Sequence, residues 1–347
     1  MMSDPALSAL FEQLRDHTGP LLLVADEQLD CAGLLQLKAL PDLTVLTNRF
    51  DVAQCAGNAG IRCLFNDMDL LACEQRFAVV AYRISKEKAI VHHVINQAPQ
   101  VLLPGGTLLL SGYKDEGAKT YISKTEHYLG CKARVTKGER QLQLAAFVPQ
   151  QLGEPLDDRG YCDLHETGRI NDKPVYSKPG QYGWNKMDAG SATLIACLQE
   201  QIPEPAAAPA TALDLGCGYG YLGLQAAALG IAQITATDNN AAAVQCCRHN
   251  FQQHGISGDV VADDCAHDIH HQFDLVLCNP PFHRGFDTEQ ALTEKFVASA
   301  AHHLKTGGFA LFVVNQFIGL EAVAAPYFKA VELVYRDKSF KVFKLSC

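Results

Sequence analysis

The sequence predicts an α/β fold that consists of two doubly wound domains in tandem. Three observations lead to this prediction. The chain has 347 residues, which is more than one hydrophobic core usually holds together. Short apolar runs alternate with helix-like segments, as in a parallel sheet that helices cover on both faces. Finally, two series of such runs follow each other at nearly constant spacing, as a repeated unit would.

The predicted strands form these two series. The first comprises residues 21–25, 44–46, 77–81 and 107–110, and the second comprises 212–215, 234–237, 273–278 and 309–314. Phe77–Ala81 resembles Phe273–Leu277, which starts 196 residues later, and the glycine pair at 105–106 recurs 202 residues later at 307–308. The offsets indicate one Rossmann-like unit present twice, although any two doubly wound domains share features of this kind.

A segment rich in glycine, proline and aspartate at residues 152–169 marks the predicted boundary. We expect one domain at residues 1–165 and a second at 166–347. Within the second domain, the three prolines of 202–210 predict a stiff connector rather than a helix. We expect the first copy to be degenerate, because it has Asp26–Asp30 in place of a glycine-rich loop and Tyr82–Ser85 in place of Asn279–Phe282.

Composition limits the classes of protein. Hydrophobic residues make up 48% and charged residues 19%, which excludes a disordered or fibrous chain. No apolar run approaches the ~20 residues of a membrane helix, and the first residues do not resemble a signal peptide. The 13 cysteines include no CxxC pair, which predicts reduced, mostly buried thiols and a cytoplasmic location. Adjacent histidine pairs rarely share a metal, so no metal is predicted.

A glycine-rich loop follows the first strand of the second copy. Gly216 and Gly218 allow the backbone to approach a ligand, and the helix that follows presents free amides to a polar group. Asp214 lies just before this loop. Because Gly218, Gly220 and Gly223 also satisfy GxGxxG, a dinucleotide site is one interpretation, and a tight turn without a ligand is another.

Acidic residues follow the next two strands. Asp238 lies 24 residues after Asp214, where a carboxylate can accept hydrogen bonds from the ribose hydroxyls of a dinucleotide or an S-adenosyl ligand. It can also cap the helix that starts at Ala241. Asp263 or Asp264 can bind an adenine amino group, or both can belong to a solvated turn. The sequence does not distinguish between these two aspartates.

The tetrad Asn279-Pro280-Pro281-Phe282 ends the fourth strand of the second copy. The prolines make the turn rigid. The Asn279 side-chain oxygen and the Pro280 carbonyl can both accept hydrogen bonds from an exocyclic amine, and Phe282 can stack on a base. Catalysis would then be mostly positioning, with the amine lone pair aimed at a methyl group. A dehydrogenase has no use for this tetrad, and the structural alternative is a Pro-Pro turn beside a core phenylalanine.

The glycine loop, Asp238 and the tetrad together resemble class I methyltransferases that use S-adenosyl-L-methionine (SAM) and modify exocyclic amines. Asn279–His283 resembles the tetrad and histidine of ribosomal RNA guanine-N2 methyltransferases, and Trp184–Ser191 resembles the element before their glycine loop. Residues 314–317 and 340–343 resemble their closing strands. A degenerate N-terminal methyltransferase-type copy is also typical. The whole chain is similar to the small-subunit family that methylates N2 of guanine 1207 in 16S rRNA, the RsmC family.

This resemblance implies roles for individual residues. The cofactor would contact Asp188, Gly190, Ser191, Asp214, Gly216, Gly218, Asp238, Asp263 or Asp264, and Asn279, with Asp188–Ser191 closing over its methionine end. Guanine would be held by Asn279, Pro280 and Phe282, with Pro281 and His283 beside it. The base would leave its stack so that its 2-amino group can attack the methyl group. The bulky Tyr219 and Tyr221 in the loop and the Pro/Ala connector depart from the family pattern.

The charge distribution is consistent with an RNA partner. The net charge is −9, but residues 1–187 hold 20 Lys/Arg against 22 Asp/Glu, and residues 188–347 hold 9 against 16. Residues 113–140 and 169–187 each carry a net +3. These segments contain the candidate RNA-contacting residues Lys114, Lys132, Arg134 and Lys186. An ordinary mixed surface is the alternative, so the first domain is assigned to recognition and support only as a hypothesis.

Other functions stay open at this point. A 23S rRNA guanine-N2 methyltransferase, a DNA adenine-N6 methyltransferase and a protein glutamine methyltransferase use the same tetrad. A protein that binds RNA during ribosome assembly without turnover belongs to a different class. Absence of SAM binding would favour that protein, and binding of NAD would favour a dehydrogenase.

Overall fold

The computed structural model describes residues 4–181, 183–202, 204, 208–281 and 286–347, without the side chains of 286–290. The chain divides into two compact units, Met1–Asp163 and Leu164–Cys347. The sequence places this division after residue 165. Among the described helices, none is long and apolar enough to cross a membrane.

The first unit is a helix-covered sheet. Its strands are β1 (Leu21–Ala25), β2 (Leu43–Thr47), β3 (Arg62–Phe65), β4 (Phe77–Arg83), β5 (Leu102–Tyr113), β6 (Arg134–Lys137) and β7 (Leu142–Phe147). Its helices are α1 (Pro5–Arg15), α2 (Cys31–Leu35), α3 (Phe50–Ala59), α4 (Lys88–Val101) and α5 (Ala118–Leu129). The strand order is β3-β2-β1-β4-β5-β7-β6, with β1–β5 parallel and β7 and β6 antiparallel to their neighbours.

The second unit begins with a hairpin of β8 (His165–Ile170) and β9 (Lys173–Ser177). Its main sheet contains β10 (Thr211–Leu215), β11 (Gln233–Asp238), β12 (Val260–Ala262), β13 (Phe273–Cys278), β14 (Leu304–Asn315), β15 (Ala330–Arg336) and β16 (Phe340–Ser346). The helices are α6 (Ala189–Gln201), α7 (Tyr221–Ala228), α8 (Ala241–His254), α9 (Phe286–His303) and α10 (Leu320–Ala324).

Within the described residues, the two main sheets share one topology. The second runs β12-β11-β10-β13-β14-β16-β15, which is the order of the first strand for strand. The α/β prediction of two doubly wound units in tandem is therefore confirmed. Each sheet is covered on both faces. Leu22 and Val24 of β1 pack into one core, while Leu21, Leu23 and Ala25 of the same strand pack into the core on the opposite face. Because neither face of the sheet is exposed to water, successive residues along such a strand are all apolar.

The first unit has a buried ion network where the second has the tetrad. Arg83 is only 4% exposed. Its Nε donates to Asp4 Oδ2 at 2.8 Å, and its two terminal nitrogens donate to Glu116 at 2.7 and 2.9 Å. Tyr82, just before Arg83, pairs with Val24 of the central strand. At the carboxyl edge of the first sheet, the charge of Arg83 is therefore paired with the carboxylates of Asp4 and Glu116.

The expectation of reduced thiols is wrong for one pair of cysteines. Cys31 and Cys55 form a disulfide, with Cα atoms 5.7 Å apart. Cys31 begins α2 and Cys55 lies on α3, and packing of these helices brings the two sulfurs together across 24 residues of sequence. Such a pair has no CxxC spacing, and only tertiary packing reveals it.

Candidate functional site

Three neighbouring strands of the second sheet end at one edge. Leu215 of β10 pairs with Thr237 of β11 on one side and with Cys278 of β13 on the other. The glycine loop, Asp238 and Asn279 follow these strands, so they meet at this edge. In doubly wound sheets, ligands bind at the carboxyl ends of the central strands. The structure thus brings together the residues that the sequence singles out after separate strands.

The glycine loop turns back tightly over β11. The amides of Gly216 and Cys217 donate to the Thr237 carbonyl at 2.9 and 3.0 Å. Gly216 has φ +78°, and a Cβ there would lie 3.0 Å from the Phe296 ring. Gly218 has φ +54°, and among the described residues a Cβ there would meet only Gln181 Oε1 within 4 Å, at 3.8 Å. A side chain at either position would strain the loop or fill the space beside it.

Asp238 is held by the loop it faces. Its Oδ2 accepts from the Gly218 amide at 2.9 Å, and its Oδ1 accepts from the Asn240 amide at 2.8 Å. The helix-cap alternative for Asp238 is wrong, because Asn240 caps α8 by accepting from Ala242 at 2.8 Å. Two backbone amides therefore fix the orientation of the Asp238 carboxylate at the carboxyl end of β11.

The structure separates Asp263 from Asp264. Asp263 is 1% exposed, its amide donates to the Asp238 carbonyl at 3.0 Å, and its Oδ2 accepts from Asp268 at 2.9 Å. Its Oδ1 is buried without a partner among the described residues. Asp264 instead forms an ion pair with Lys295. Of the two, Asp263 has the acceptor directed inward, and we assign the adenine amino group to it as a proposal.

Asn279 is oriented by the start of α6. Its Nδ2 donates to Asp188 Oδ1 at 2.8 Å and to Ser191 Oγ at 2.9 Å. Asp188 Oδ1 also caps α6 by accepting from the Ser191 amide at 2.7 Å. Because a carboxylate only accepts, the amino end of the Asn279 amide must face Asp188. The carbonyl oxygen Oδ1 therefore lies on the opposite side, where an amine could donate to it.

The rest of the tetrad is partly described. Pro280 is buried and Pro281 is exposed. Phe282 and His283 lie outside the described residues. Gly190 is buried at the start of α6, where a Cβ would lie 3.1 Å from the Phe340 ring, so close packing fixes the helix end that carries Asp188.

Asp214 lies directly beneath the glycine loop. It is fully buried, and its Oδ2 accepts from the Gly223 amide at 2.8 Å. Its Oδ1 has no partner among the described residues. Burial raises the pKa of Asp214 to about 7, and the Asp238 carboxylate adds to this effect. Asp214 thus supports the loop through the Gly223 amide, and burial shifts the titration of its carboxyl group close to neutral pH.

Replacing this carboxyl should change how stability depends on pH. Because the folded pKa of about 7 lies above the ordinary 3.8, the contribution of Asp214 to the unfolding free energy is largest below pH 4. It then falls by about 1.4 kcal/mol per pH unit until pH 7. We expect Asp214→Asn to remove this decrease of the unfolding free energy with pH from the second unit. Urea unfolding between pH 4 and pH 8 measures it, with the emission of Trp184, the one tryptophan in the sequence, as the probe.

Asp26 provides the matched control in the first unit. Burial, and then Glu27, raises its pKa to about 7, while it accepts from Tyr82 OH at 3.0 Å. Asp26→Asn should alter the pH dependence of the first unit and leave the Trp184 transition unchanged. A Trp184 transition with the same pH dependence in Asp214→Asn and in the parent chain would contradict the assigned pKa.

The candidate cofactor residues fit an adenosine-bearing ligand with polar ends. Among the described residues, two buried oxygens lack a partner, Asp263 Oδ1 after β12 and Thr237 Oγ1 near the end of β11, and Gly218 follows β10. Buried polar atoms normally have partners, so such a concentration is typical of a binding site. Among the described residues, no group of His, Cys, Asp or Glu is arranged to hold a metal ion.

The basic residues fall on both units. Lys114, Lys132 and Arg134 are exposed in the first unit, and Lys186 is exposed in the second. All four residues of β6 are exposed, and this strand forms one edge of its sheet. Lys132 pairs with Glu126 at 3.3 Å, whereas Arg134 has no acidic partner within 4 Å among the described residues.

Sequence reasoning missed two residues near the site. Asn240 caps α8 and donates through Nδ2 to the Gly180 carbonyl at 2.9 Å. An asparagine directly before a helix is a recognisable capping signal. Gln181 is buried beside the glycine loop, and no pattern in the sequence distinguishes it.

Comparisons with known proteins identify the family of the chain. A family model described as "Methyltransferase small domain" matches residues 172–344. The chain is 29% identical to ribosomal RNA small subunit methyltransferase C of Aeromonas hydrophila, and the match covers 99% of each protein. It is 32% identical to the protein of that name from Haemophilus influenzae strain 86-028NP, over 77% of this chain and 78% of that protein.

A solved structure shares the whole fold. The T. thermophilus 16S rRNA N2 G1207 methyltransferase (RsmC), in complex with AdoMet and guanosine, superposes with a TM-score of 0.85. The match has 23% sequence identity and covers 99% of this chain and 92% of that one. With both copies of the unit, the site at the edge of the second sheet and these relatives, the chain belongs to the ribosomal RNA small subunit methyltransferase C family.

Proposed function

We propose that this chain transfers a methyl group from SAM to the 2-amino group of a guanine in 16S rRNA of the small ribosomal subunit. The T. thermophilus enzyme acts on N2 of G1207, and we propose the same position for this chain. The observation that carries the proposal is the Asn279 amide, which Asp188 and Ser191 hold with its oxygen turned away from α6. This amide stands on the same sheet edge as the glycine loop and Asp238.

The residues around the loop would hold the cofactor. Asp238 would accept from the ribose hydroxyls, Asp263 from the adenine amino group, and the glycine loop would lie against the ligand. When bound, SAM supplies an electrophilic methyl group on its sulfonium. Asp214 supports the loop from beneath through the Gly223 amide and has no contact role in this proposal.

The tetrad would position the amine. Asn279 Oδ1 and the Pro280 carbonyl accept the two N–H groups of the guanine amine, so its lone pair is directed toward the methyl group. Rigid prolines keep both acceptors in place. Phe282 would stack on the base, which must leave its helix to reach the site. The chain offers acceptors and a binding surface, and the proposal assigns no nucleophilic side chain.

A methylation assay on several substrates tests the proposal. SAM with a labelled methyl group is supplied with unmodified 30S subunits, 50S subunits, naked 16S rRNA, DNA and a glutamine-containing protein. We expect label in the 30S or 16S samples, and nuclease mapping should place it on N2 of one guanine. Label on 50S subunits, DNA or protein alone would replace the proposal by one of those activities. SAM binding without label would favour an assembly factor.

The β6 edge of the first unit is proposed as an RNA phosphate contact. Reversing Arg134 and Lys137 to glutamate should weaken binding of the rRNA substrate and reduce its salt dependence, with a log–log slope smaller by about 2. SAM binding should not change, because the second unit holds that site. Filter binding across salt concentrations measures the slope.

The corresponding edge strand of the second unit supplies a control. Arg336 ends β15, which occupies the same place in its sheet as β6, and Lys338 follows it. Reversing these two charges changes the net charge equally at an equivalent edge. Equal effects of the two double reversals would show general charge repulsion and would contradict a specific contact at β6.

A further inference from the structure

The side-chain amide of Gln181 is buried. The residue is 7% exposed, and in the described part of the chain neither Oε1 nor Nε2 has a hydrogen-bond partner. A primary amide gives up its hydration on burial, so folded proteins almost always pair both of its ends. A leucine of similar size would avoid this cost. Within the described part of the chain, the amide therefore lacks a polar partner to offset the free-energy cost of its burial.

The side chain is directed at the glycine loop. A Cβ built on Gly218 would lie 3.8 Å from Gln181 Oε1, and the remaining surroundings of that position are open. The Gly218 amide donates to Asp238, the candidate acceptor for the ribose. The unpaired amide thus lies over the loop on the side where the candidate cofactor residues converge.

Hydrogen bonds fix Gln181 in this place. Asn240 donates from Nδ2 to the carbonyl of Gly180, the residue before Gln181, at 2.9 Å. The Asn240 backbone amide donates to Asp238 Oδ1 at 2.8 Å. Gly180 has φ +103°, a backbone conformation that favours glycine. One residue therefore ties the backbone at Gln181 to the carboxylate of Asp238.

We infer that the Gln181 side-chain amide hydrogen-bonds the cofactor on the side away from the adenine. The inference rests on the proposed function, because it concerns the ligand of the same site. Both the ribose hydroxyls and the amino-acid group of SAM can accept from Nε2 and donate to Oε1. Asp263, assigned to the adenine, follows a strand further along the sheet, which leaves the region over Gly218 to these two groups.

Calorimetry on the full chain tests the inference. We expect Gln181→Leu to bind SAM about tenfold more weakly than the parent chain. Its melting temperature without ligand should be equal or higher, because an unpaired buried amide has been removed. A merely structural role would lower the melting temperature. Gln181→Asn, with the amide one methylene shorter, serves as the second variant and should also bind SAM more weakly.

Ser177→Ala is the matched control. It removes another buried oxygen without a partner among the described residues, four positions earlier, and should leave SAM affinity unchanged. Titration with 5′-methylthioadenosine, which lacks the amino-acid group, identifies the contact. A loss that persists indicates the ribose, and a loss confined to SAM indicates the amino-acid group.

The outcomes distinguish this inference from the proposed function. If the parent chain binds no SAM, the proposed function fails. If the parent binds SAM and both Gln181 variants bind it equally well, the proposed function survives and the Gln181 contact is overturned.

Discussion

Asn279→Ala is expected to lower kcat for rRNA methylation by at least about 100-fold. The variant loses the acceptor that orients the guanine amine, and no other described side chain can replace it at the end of β13. Affinity for SAM should fall much less than kcat, because Asn279 is one of several candidate cofactor contacts and Asp238 and the glycine loop remain. Single-turnover methylation of 30S subunits measures the rate, and calorimetry measures the affinity. A variant that methylates at the parent rate would refute the assignment of Asn279.

Asp188 provides the second half of this test. Asp188→Ala removes the acceptor that fixes the Asn279 amino group, so kcat should fall by about tenfold with the KM for rRNA unchanged. In the double variant with Asn279→Ala, the further loss in kcat should be much smaller than tenfold, because there is no amide left to orient. Asp188→Asn keeps an oxygen that can cap α6 and accept from Asn279, and it should retain most activity. Additive losses would show that Asp188 acts independently of Asn279.

Much of the fold follows from apolar runs. The predicted strands at 21–25 and 273–278 match the structure residue for residue, because each is buried on both faces and ends in a clear turn signal. The strand predicted at 107–110 is longer in the structure, Leu102–Tyr113, because it continues through Pro104 and a glycine pair that the sequence favours as a turn. The β8–β9 hairpin was not predicted, since its residues are mostly polar and no alternation identifies them.

The sequence predicts those site residues that follow directly after apolar strands. Asp238 and Asn279 follow apolar strands, and parallel strands present their carboxyl ends at one edge. The orientation of the Asn279 amide depends on Asp188, which lies 91 residues earlier. No local sequence pattern predicts this contact. The same holds for the disulfide between Cys31 and Cys55 and for the choice between Asp263 and Asp264. These features arise from packing between elements that are distant in sequence.

The two copies use equivalent positions for different purposes. Asp4 caps α1 and accepts from Arg83, as Asp188 caps α6 and accepts from Asn279. Arg83 and Asn279 each follow a residue that pairs with the central strand, Tyr82 in the first unit and Cys278 in the second. The pairing between helix cap and strand end is retained, but an arginine stands where the second unit presents an amide oxygen. An arginine has no acceptor, so the first unit cannot hold an amine in this way.

Arg83→Leu is therefore expected to destabilise the first unit by about 3–5 kcal/mol. The substitution leaves Asp4 and Glu116 close together without the cation that both of them bind. Repulsion between the carboxylates and their desolvation then both lower the stability of the folded state. Arg83→Lys keeps the charge but cannot form the paired bonds to Glu116, so its loss should be intermediate. Urea unfolding followed by circular dichroism measures both values. The SAM affinity of the second unit, followed by calorimetry below the transition, should be unchanged. A loss under about 1 kcal/mol for Arg83→Leu would mean that water or other groups compensate the carboxylates, and the ion network would then not account for the stability of this edge.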